Sequence, residues 1–170
     1  GECPFGFDVC ATNKDIVVFG DFGFAHKPNN GGTSWQQAYT DIAYQHPANA
    51  PTPKYQEYKS IGQEQTTCWQ VHWVNSNIMW ASFSDIGGVR SIDGGNKWSF
   101  NYTGNNVNST YRVAQGSNGT LYAGTSNIHD MYQSTRLQDA QLDANDANGK
   151  ISYSTDNGLT WTQLHFFNHP

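Results

Sequence analysis

The sequence is poor in charge and in long apolar runs. Only 14% of its 170 residues are Asp, Glu, Lys or Arg, against about 25% in an average globular protein. The nine Lys and Arg residues are spread along a chain of net charge −5, so there is no basic patch for nucleic acid. The longest apolar stretch is Ile16-Val17-Val18-Phe19, far below the roughly 20 residues of a membrane helix. We therefore expect neither a nucleic acid partner nor a membrane span.

The chain also begins without an initiator Met or a signal peptide, since its first residues are Gly1-Glu2-Cys3. This start predicts a processed product or an internal piece of a longer protein. Cysteine is scarce and odd in number, with Cys3, Cys10 and Cys68. The three residues fit either one disulfide plus a cysteine that pairs elsewhere, or three buried thiols, and the pairing is left open.

Aromatic residues and glycine are abundant by contrast. The chain is 14% aromatic, with six Trp, and has 17 Gly. A disordered segment has few aromatics, and many turn-forming residues are typical of short strands joined by turns. The composition therefore predicts an all-β fold. Three Asn-x-Ser/Thr sequons begin at Asn101, Asn108 and Asn118; they are either glycosylation sites or chance matches in Asn-rich sequence. With the low charge, they favour a secreted or cell-surface protein.

An eight-residue pattern recurs at a fixed period. The pattern is Ser-x-Asp-x-Gly-x-Thr-Trp, and Ser154–Trp161 is one copy of it. Ser91–Trp98 differs only at Lys97, and Pro28–Trp35 is a degenerate third copy, with Pro28 in the Ser place and Asn30 in the Asp place. Successive copies close on tryptophans 63 residues apart. Asp or Asn accepts hydrogen bonds within its own turn and Gly supplies a positive φ, so each copy predicts a hairpin turn covered by its Trp. The structural positions expected in these turns are Asn30, Gly32, Trp35, Ser91, Asp93, Gly95, Trp98, Ser154, Asp156, Gly158 and Trp161.

This pattern resembles the Asp-box, or bacterial neuraminidase repeat, of sialidases, xyloglucan hydrolases and several non-enzymatic β-propellers. The resemblance covers the chain at blade spacing, and it implies that each box joins the third and fourth strands of a propeller blade. Four strands per box place the blades at about 3–39, 69–102 and 111–166, with long loops at 40–67 and 124–149. The expected fold is all-β, with three four-stranded antiparallel blades of an Asp-box β-propeller.

Three blades do not close a ring, because propellers typically have about 4–8 of them. An isolated arc would expose sheet faces and strand edges. Residues 1–170 are therefore expected to be a partial β-propeller. We expect the rest of the parent chain, or other chains, to complete it, and a self-contained small enzyme is disfavoured.

Two short loops are expected on the face that also carries the long loops, and each places a carboxylate where an inner strand ends. Gly20–His26 contains Asp21, and Ser84–Arg90 contains Asp85. These loops resemble the Asp-x-Gly-Gly loops of inverting xyloglucan hydrolases, which implies that Asp21 or Asp85 is one member of a catalytic acid–base pair. Two departures stand against this: Asp21 lacks the second Gly, and the family's two aspartates come from separate propellers. From the residues alone, both carboxylates also fit the role of turn caps.

The remaining candidate residues lie on the long loops. Tyr55, Tyr58 and Tyr132 either stack on sugar rings or pack the loops onto the blades. His129-Asp130 is a possible orienting pair for acid–base chemistry, although no nucleophile is near it in the sequence. The 139–149 segment is either an irregular calcium site or a solvated loop, because it lacks the EF-hand ligand pattern. No cofactor or metal is expected.

Two functions follow from these observations. The first is a glycan- or protein-binding or structural module of an extracellular propeller. The second is a fragment of a glycoside hydrolase resembling the xyloglucan family. A sialidase is disfavoured, because the arginines are Arg90, Arg112 and Arg136 and none lies in the sialidase arginine motif.

Overall fold

The fold is built from antiparallel sheets. A computed structural model describes residues 6–20, 25–28, 30–47, 50–51, 53–61, 66–127 and 149–167. The chain forms two compact units, residues 1–52 with 58–66 and residues 53–57 with 67–170. Three sheets contain four, five and four strands, so the prediction of an all-β fold with three antiparallel sheets is confirmed. No helix in the described ranges is long and apolar enough to cross a membrane.

The first sheet follows the chain in the order β1-β2-β3-β4. Its strands are β1 (Gly6–Val9), β2 (Val17–Gly20), β3 (Ala25–Lys27) and β4 (Gln36–Gln37). In β2 the side chains alternate, so that Val17 is buried and Val18 is exposed. This is the pattern of a half-buried strand. A short 3₁₀ helix, Ile42–Tyr44, follows the sheet and is capped by the Asp41 side chain.

The second sheet has the order β5-β9-β8-β7-β6. Its strands are β5 (Glu57–Tyr58), β6 (Cys68–Trp73), β7 (Met79–Phe83), β8 (Gly88–Ser91) and β9 (Trp98–Ser99). The outer strand β5 lies within 40–67, a segment expected to be loop throughout. An ion pair accounts for part of this difference, since Lys97 Nζ lies 2.5 Å from the Glu57 carboxylate. Lys97 is the residue at which the second repeat departs from the common pattern.

The third sheet has the order β10-β11-β12-β13. Its strands are β10 (Ser109–Gln115), β11 (Leu121–Ser126), β12 (Gly149–Ser154) and β13 (Thr162–Phe167). The β10–β11 hairpin turns at Asn118-Gly119, a dipeptide typical of two-residue hairpin loops, but its loop has three residues. Gly116 N donates to Thr120 O at 2.8 Å, and Gly119 has φ +85°. A three-residue hairpin with Gly in the left-handed position explains the extra residue.

The core of the second unit lies between the second and third sheets. It is formed by Val74, Trp80, Tyr102, Val113, Leu121, Ala123 and Trp161. The Trp80 and Trp161 rings meet edge to face, with centroids 5.1 Å apart. Outside the core, Thr103 and Thr160 form a parallel bridge, and Arg90 Nε donates to Asn157 O at 2.9 Å. These contacts join the two sheets into one packed body.

The three repeat turns share one geometry. In the third turn, the Ser154 hydroxyl donates to Asp156 at 2.7 Å, and Asp156 Oδ1 accepts from Thr160 N at 2.8 Å. The second turn repeats these contacts with Ser91, Asp93 and Lys97 N. In every copy the glycine lies against the closing indole: a Cβ on Gly32, Gly95 or Gly158 would be 3.5, 3.5 or 3.6 Å from Cζ2 of Trp35, Trp98 or Trp161.

Candidate functional site

The connection between β7 and β8 holds Asp85 in an uncommon conformation. Asp85 has φ +69°, and Ile86 N donates across it to Ser84 O at 2.8 Å. Gly87 repeats this arrangement with φ +68° and a 2.7 Å bond from Gly88 N to Ile86 O. These are two successive γ-turns of the rare, positive-φ type. Strain of this kind costs about 1–3 kcal/mol and concentrates at functional sites, so an exposed aspartate there is a candidate binding group.

The strained loop is held by the start of the third sheet. Gly87 N donates to Asn108 O at 2.8 Å, and Asp85 N donates to Asn108 Oδ1 at 3.3 Å. The same Oδ1 accepts from the Ser109 hydroxyl at 2.9 Å. Main chain and side chain of Asn108 therefore fix the position of Asp85.

The far end of the loop is fixed from the core. Gly88 packs so closely that a Cβ there would lie 2.8 Å from Ala81 O and 2.8 Å from Cζ2 of Trp80. The buried Tyr102 hydroxyl donates to Gly88 O at 2.8 Å. Burial raises the pKa of Tyr102 to about 12, so this hydroxyl remains a donor through the physiological range. The loop is therefore clamped at both ends.

A partly exposed indole is hydrogen-bonded to this loop. Trp69 is 41% exposed, and its Nε1 donates to the Ser84 hydroxyl at 2.9 Å. Ser84 N in turn donates to Thr67 O at 3.0 Å. The edge of the Trp69 ring meets Tyr111 with centroids 5.5 Å apart. Trp69 is thus held beside the residue that precedes Asp85, with part of its ring open to solvent.

A bulge and a side-chain clamp set the direction of Trp69. The register of β6 against β7 shifts between Cys68 and Gln70, and this bulge leaves Trp69 without a paired residue on β7. Gln70 then bonds the backbone of β10: its Oε1 accepts from Val113 N at 2.7 Å, and its Nε2 donates to Val113 O at 3.1 Å. The Gln70 side-chain amide thus takes the place of a pair of strand hydrogen bonds and fixes β6, which carries Trp69, to β10.

Of the other residues predicted to bind a ligand, the structure describes Tyr55 and Tyr58. Tyr55 is 64% exposed. Tyr58 packs edge to face on His46 at 6.4 Å, and burial raises its pKa. Several predicted positions lie outside the described residues, namely Asp21, His129, Asp130, Tyr132 and the 139–148 part of the suggested calcium segment. The pairing of Asp21 with Asp85 stays a prediction.

Metal ligands and thiols give no further candidate among the described residues. No group of three or more His, Cys, Asp and Glu side chains there is placed to hold a metal ion. Cys10 and Cys68 are free thiols, and Cys3 lies outside the described residues.

Trp69 is the residue that the sequence analysis missed. The sequence places Trp69 at the start of the second blade, where it fits a strand residue like Val71 and Trp73, which are exposed at the alternate positions of β6. The signal was available in the third repeat, where Tyr111 stands at the matching bulge between Thr110 and Arg112. The two aromatic rings at this position of the second and third repeats pack edge to face on each other.

Comparison with known proteins gives distant structural matches. No family model matches the chain, and no curated protein matches it. Among solved structures, a GH74 enzyme of Niastella koreensis is 17% identical, with a TM-score of 0.41 over 92% of this chain and 20% of that one. An ancestral GH74 enzyme is 15% identical, with a TM-score of 0.42 over 95% of this chain and 25% of that one. The chain thus spans a quarter or less of these enzymes.

Proposed function

We propose that the chain is a segment of a secreted or cell-surface Asp-box β-propeller that binds carbohydrate at Trp69 and Asp85. The observation that carries this is an exposed aspartate in a strained turn, next in sequence to Ser84, whose hydroxyl accepts a hydrogen bond from a half-exposed indole. A sugar ring presents an apolar C–H face that suits an aromatic surface, and hydroxyls that donate to a carboxylate. A site of this kind selects neutral, hydroxyl-rich ligands.

The Asp-box assignment is supported by the common turn geometry. Ser and Asp form the same hydrogen bonds in the second and third turns, and each glycine lies on its Trp. The second box lies at the end of β6 opposite to Trp69, since Ser91 pairs with Met79 and Met79 pairs with Trp73. We therefore assign the boxes a structural role only.

The partner we propose for the third sheet is a further blade, from the rest of the parent chain or from another chain. In the second sheet, the cross-strand row that faces the third sheet is His72, Trp80, Arg90 and Ser99. The matching row of the third sheet is Ala114, Tyr122, Tyr153 and Thr162. Trp80 is 1% exposed under its neighbouring sheet, whereas Tyr122 is 40% exposed.

Light scattering of the chain over a range of concentrations tests this partner. The open row should make the chain self-associate, and the variant Tyr122→Lys should reduce the association. A chain that stays monomeric and stable at all concentrations would count against an incomplete propeller.

The alternative function is a glycoside hydrolase fragment in which Asp85 is one member of the acid–base pair. Its exposed position beside an aromatic surface suits a carboxylate at a scissile bond. An inverting enzyme needs a second carboxylate about 6.5–9.5 Å away, with room for water, and Asp21 is the proposed second member. Hydrolysis by the parent protein that survives both Asp85→Asn and Asp21→Asn would eliminate this alternative.

Calorimetric titration with xyloglucan oligosaccharides tests the binding proposal. We expect saturable binding that Trp69→Ala weakens at least tenfold, because the ring surface is removed. The matched control is Trp73→Ala, which removes a 54% exposed indole from the other end of β6. Equal affinities for the two variants would refute the assignment of Trp69.

A further inference from the structure

We propose that Asn118 is the sequon of this chain that carries an N-linked oligosaccharide, and that Asn101 and Asn108 stay unmodified. This inference rests on the extracellular location in the proposed function. The three sequons differ sharply in their surroundings, although their sequences are equally suitable. Asn118 lies on an exposed hairpin turn, Asn108 is hydrogen-bonded to the turn at Asp85, and Asn101 borders the contact between the second and third sheets.

Asn118 is open to solvent and already holds a turn suited to an acceptor. Ser117, Asn118 and Gly119 are all exposed. Asn118 Oδ1 accepts from Thr120 N at 3.1 Å, an Asx-turn that the side-chain oxygen closes by itself. The amide nitrogen, which is the atom that receives the sugar, is not needed for this bond. No heavy atom lies within 4 Å of the position of a Cβ on the adjacent Gly119, so there is free space next to Asn118.

Asn108 has the opposite environment. Its Oδ1 accepts from the Asp85 amide and the Ser109 hydroxyl. The following Ser109 and Thr110 are completely buried. These bonds hold the half-buried Asn108 side chain between the strained turn at Asp85 and the buried start of β10, so an oligosaccharide on Nδ2 would have to leave through this contact. Asn108 is therefore a positioning residue for Asp85.

Asn101 lies against the seam between the second and third sheets. Its neighbour Tyr102 is 5% exposed, and Thr103 of the same sequon donates its N–H to Leu159 O at 2.9 Å. Trp161 N donates back to Thr103 O at 2.9 Å. A bulky group at half-buried Asn101 would compete with the packing that joins the two sheets.

A glycan on Asn118 leaves the candidate binding site free. Strand β10 runs from Ser109, which bridges to Gly87 beside Asp85, to Gln115 at the Asn118 turn. Seven residues of strand span about 20 Å. Leu121, just after the turn, pairs with Ser154 of the third box. The glycan would therefore cover the end of the sheet that carries the box turn.

The modification is a glycosyl transfer to the Asn118 amide. A bond forms between Nδ2 and the anomeric carbon of an oligosaccharide, while the bond from that carbon to the diphosphate of a polyprenyl-diphosphate donor breaks. The amide loses one proton, and the polyprenyl diphosphate leaves with the electron pair. No oxidation or reduction takes place.

Site-occupancy mapping of the full chain tests the proposal. The chain is expressed in a glycosylating secretory host, recovered from medium and microsomes, and treated with an amidase that converts each glycosylated Asn to Asp. Peptide mass spectrometry should show conversion at Asn118 and none at Asn101 or Asn108. Asn118→Gln should abolish the glycan-dependent mass shift, while Asn101→Gln leaves it unchanged.

Conversion at Asn101 or Asn108 in folded protein, or an unmodified Asn118, would overturn the proposal. Because mapping uses the unaltered chain, poor folding of a variant does not change the result. Oligosaccharide binding is measured on the same preparation. A protein glycosylated at Asn118 that binds no ligand contradicts the proposed function alone, and a binding protein without that glycan contradicts this inference alone.

Discussion

Gly104 is the position at which a single added methyl group should open the backbone bridge between the second and third sheets. Gly104 has φ +82°, and a Cβ there would lie 1.9 Å from Trp161 O, which is backbone. The adjoining bridge consists of two hydrogen bonds, from Thr103 N to Leu159 O and from Trp161 N to Thr103 O, both 2.9 Å. The variant Gly104→Ala cannot keep this contact, so the bridge has to open.

Gly119 provides a matched control for the cost of backbone strain. It has φ +85°, and nothing lies within 4 Å of its Cβ position. Alanine in the left-handed region costs about 1–2 kcal/mol at either site. Gly104→Ala also loses two hydrogen bonds worth about 0.5–1.5 kcal/mol each. We therefore expect Gly104→Ala to lower the free energy of unfolding by about 1–3 kcal/mol more than Gly119→Ala.

Urea unfolding followed by tryptophan fluorescence measures this difference. Trp80 and Trp161 pack on each other across the seam, so opening it should change their emission. If the two variants have the same free energy of unfolding, the close approach at Gly104 does not exist in solution, and the packing described for the second unit is wrong.

Three further predictions concern the hydrogen bonds that hold the sheets and turns. Gln70→Leu should cost about 2 kcal/mol in urea unfolding, because Val113 loses a donor and an acceptor; an unchanged midpoint would contradict the clamp. Burial alone would raise the pKa of Asp156, but its hydrogen bonds outweigh burial and lower the pKa from 3.8. The ionised Asp156 therefore stabilises the fold above about pH 4, and this stabilisation is lost as the pH falls through the lowered pKa. Asp156→Ala should flatten the acid side of the curve of unfolding free energy against pH, and an identical curve would refute this. Tyr102, with its pKa raised to about 12 by burial, should remain protonated at pH 11 in an absorbance titration of the folded chain. Its early ionisation would show that the hydroxyl is not buried in the core.

The repeat made most of the fold predictable. The serine, aspartate and glycine of the second and third boxes bond within their own turn, so local sequence determines the hairpin. The spacing of the closing tryptophans then sets the length left for the other strands, as seen in Met79–Phe83 and Gly88–Ser91. Strand β5 was not predictable in this way, because its place depends on an ion pair between Glu57 and Lys97, 40 positions apart.

The candidate site was predictable only in part. Asp85 could be singled out because it follows the second strand of a blade in a glycine-rich loop. Its γ-turn depends on Asn108, which lies 23 residues away and belongs to another sheet. The position of Trp69 is set beside a bulge and beside Gln70, whose amide bonds Val113, 43 residues distant. Contacts of this range leave no local pattern in one sequence.

The central claim is that Trp69 beside Asp85 is a carbohydrate-binding surface. The most direct measurement is the indole N–H resonance of each tryptophan during titration with a xyloglucan oligosaccharide. We predict a saturable shift of the Trp69 resonance and no shift of the Trp73 resonance. In Asp85→Asn the Trp69 shift should be absent or should need much more ligand. A saturable shift confined to other tryptophans, or no shift at any of them at millimolar ligand, would contradict the account.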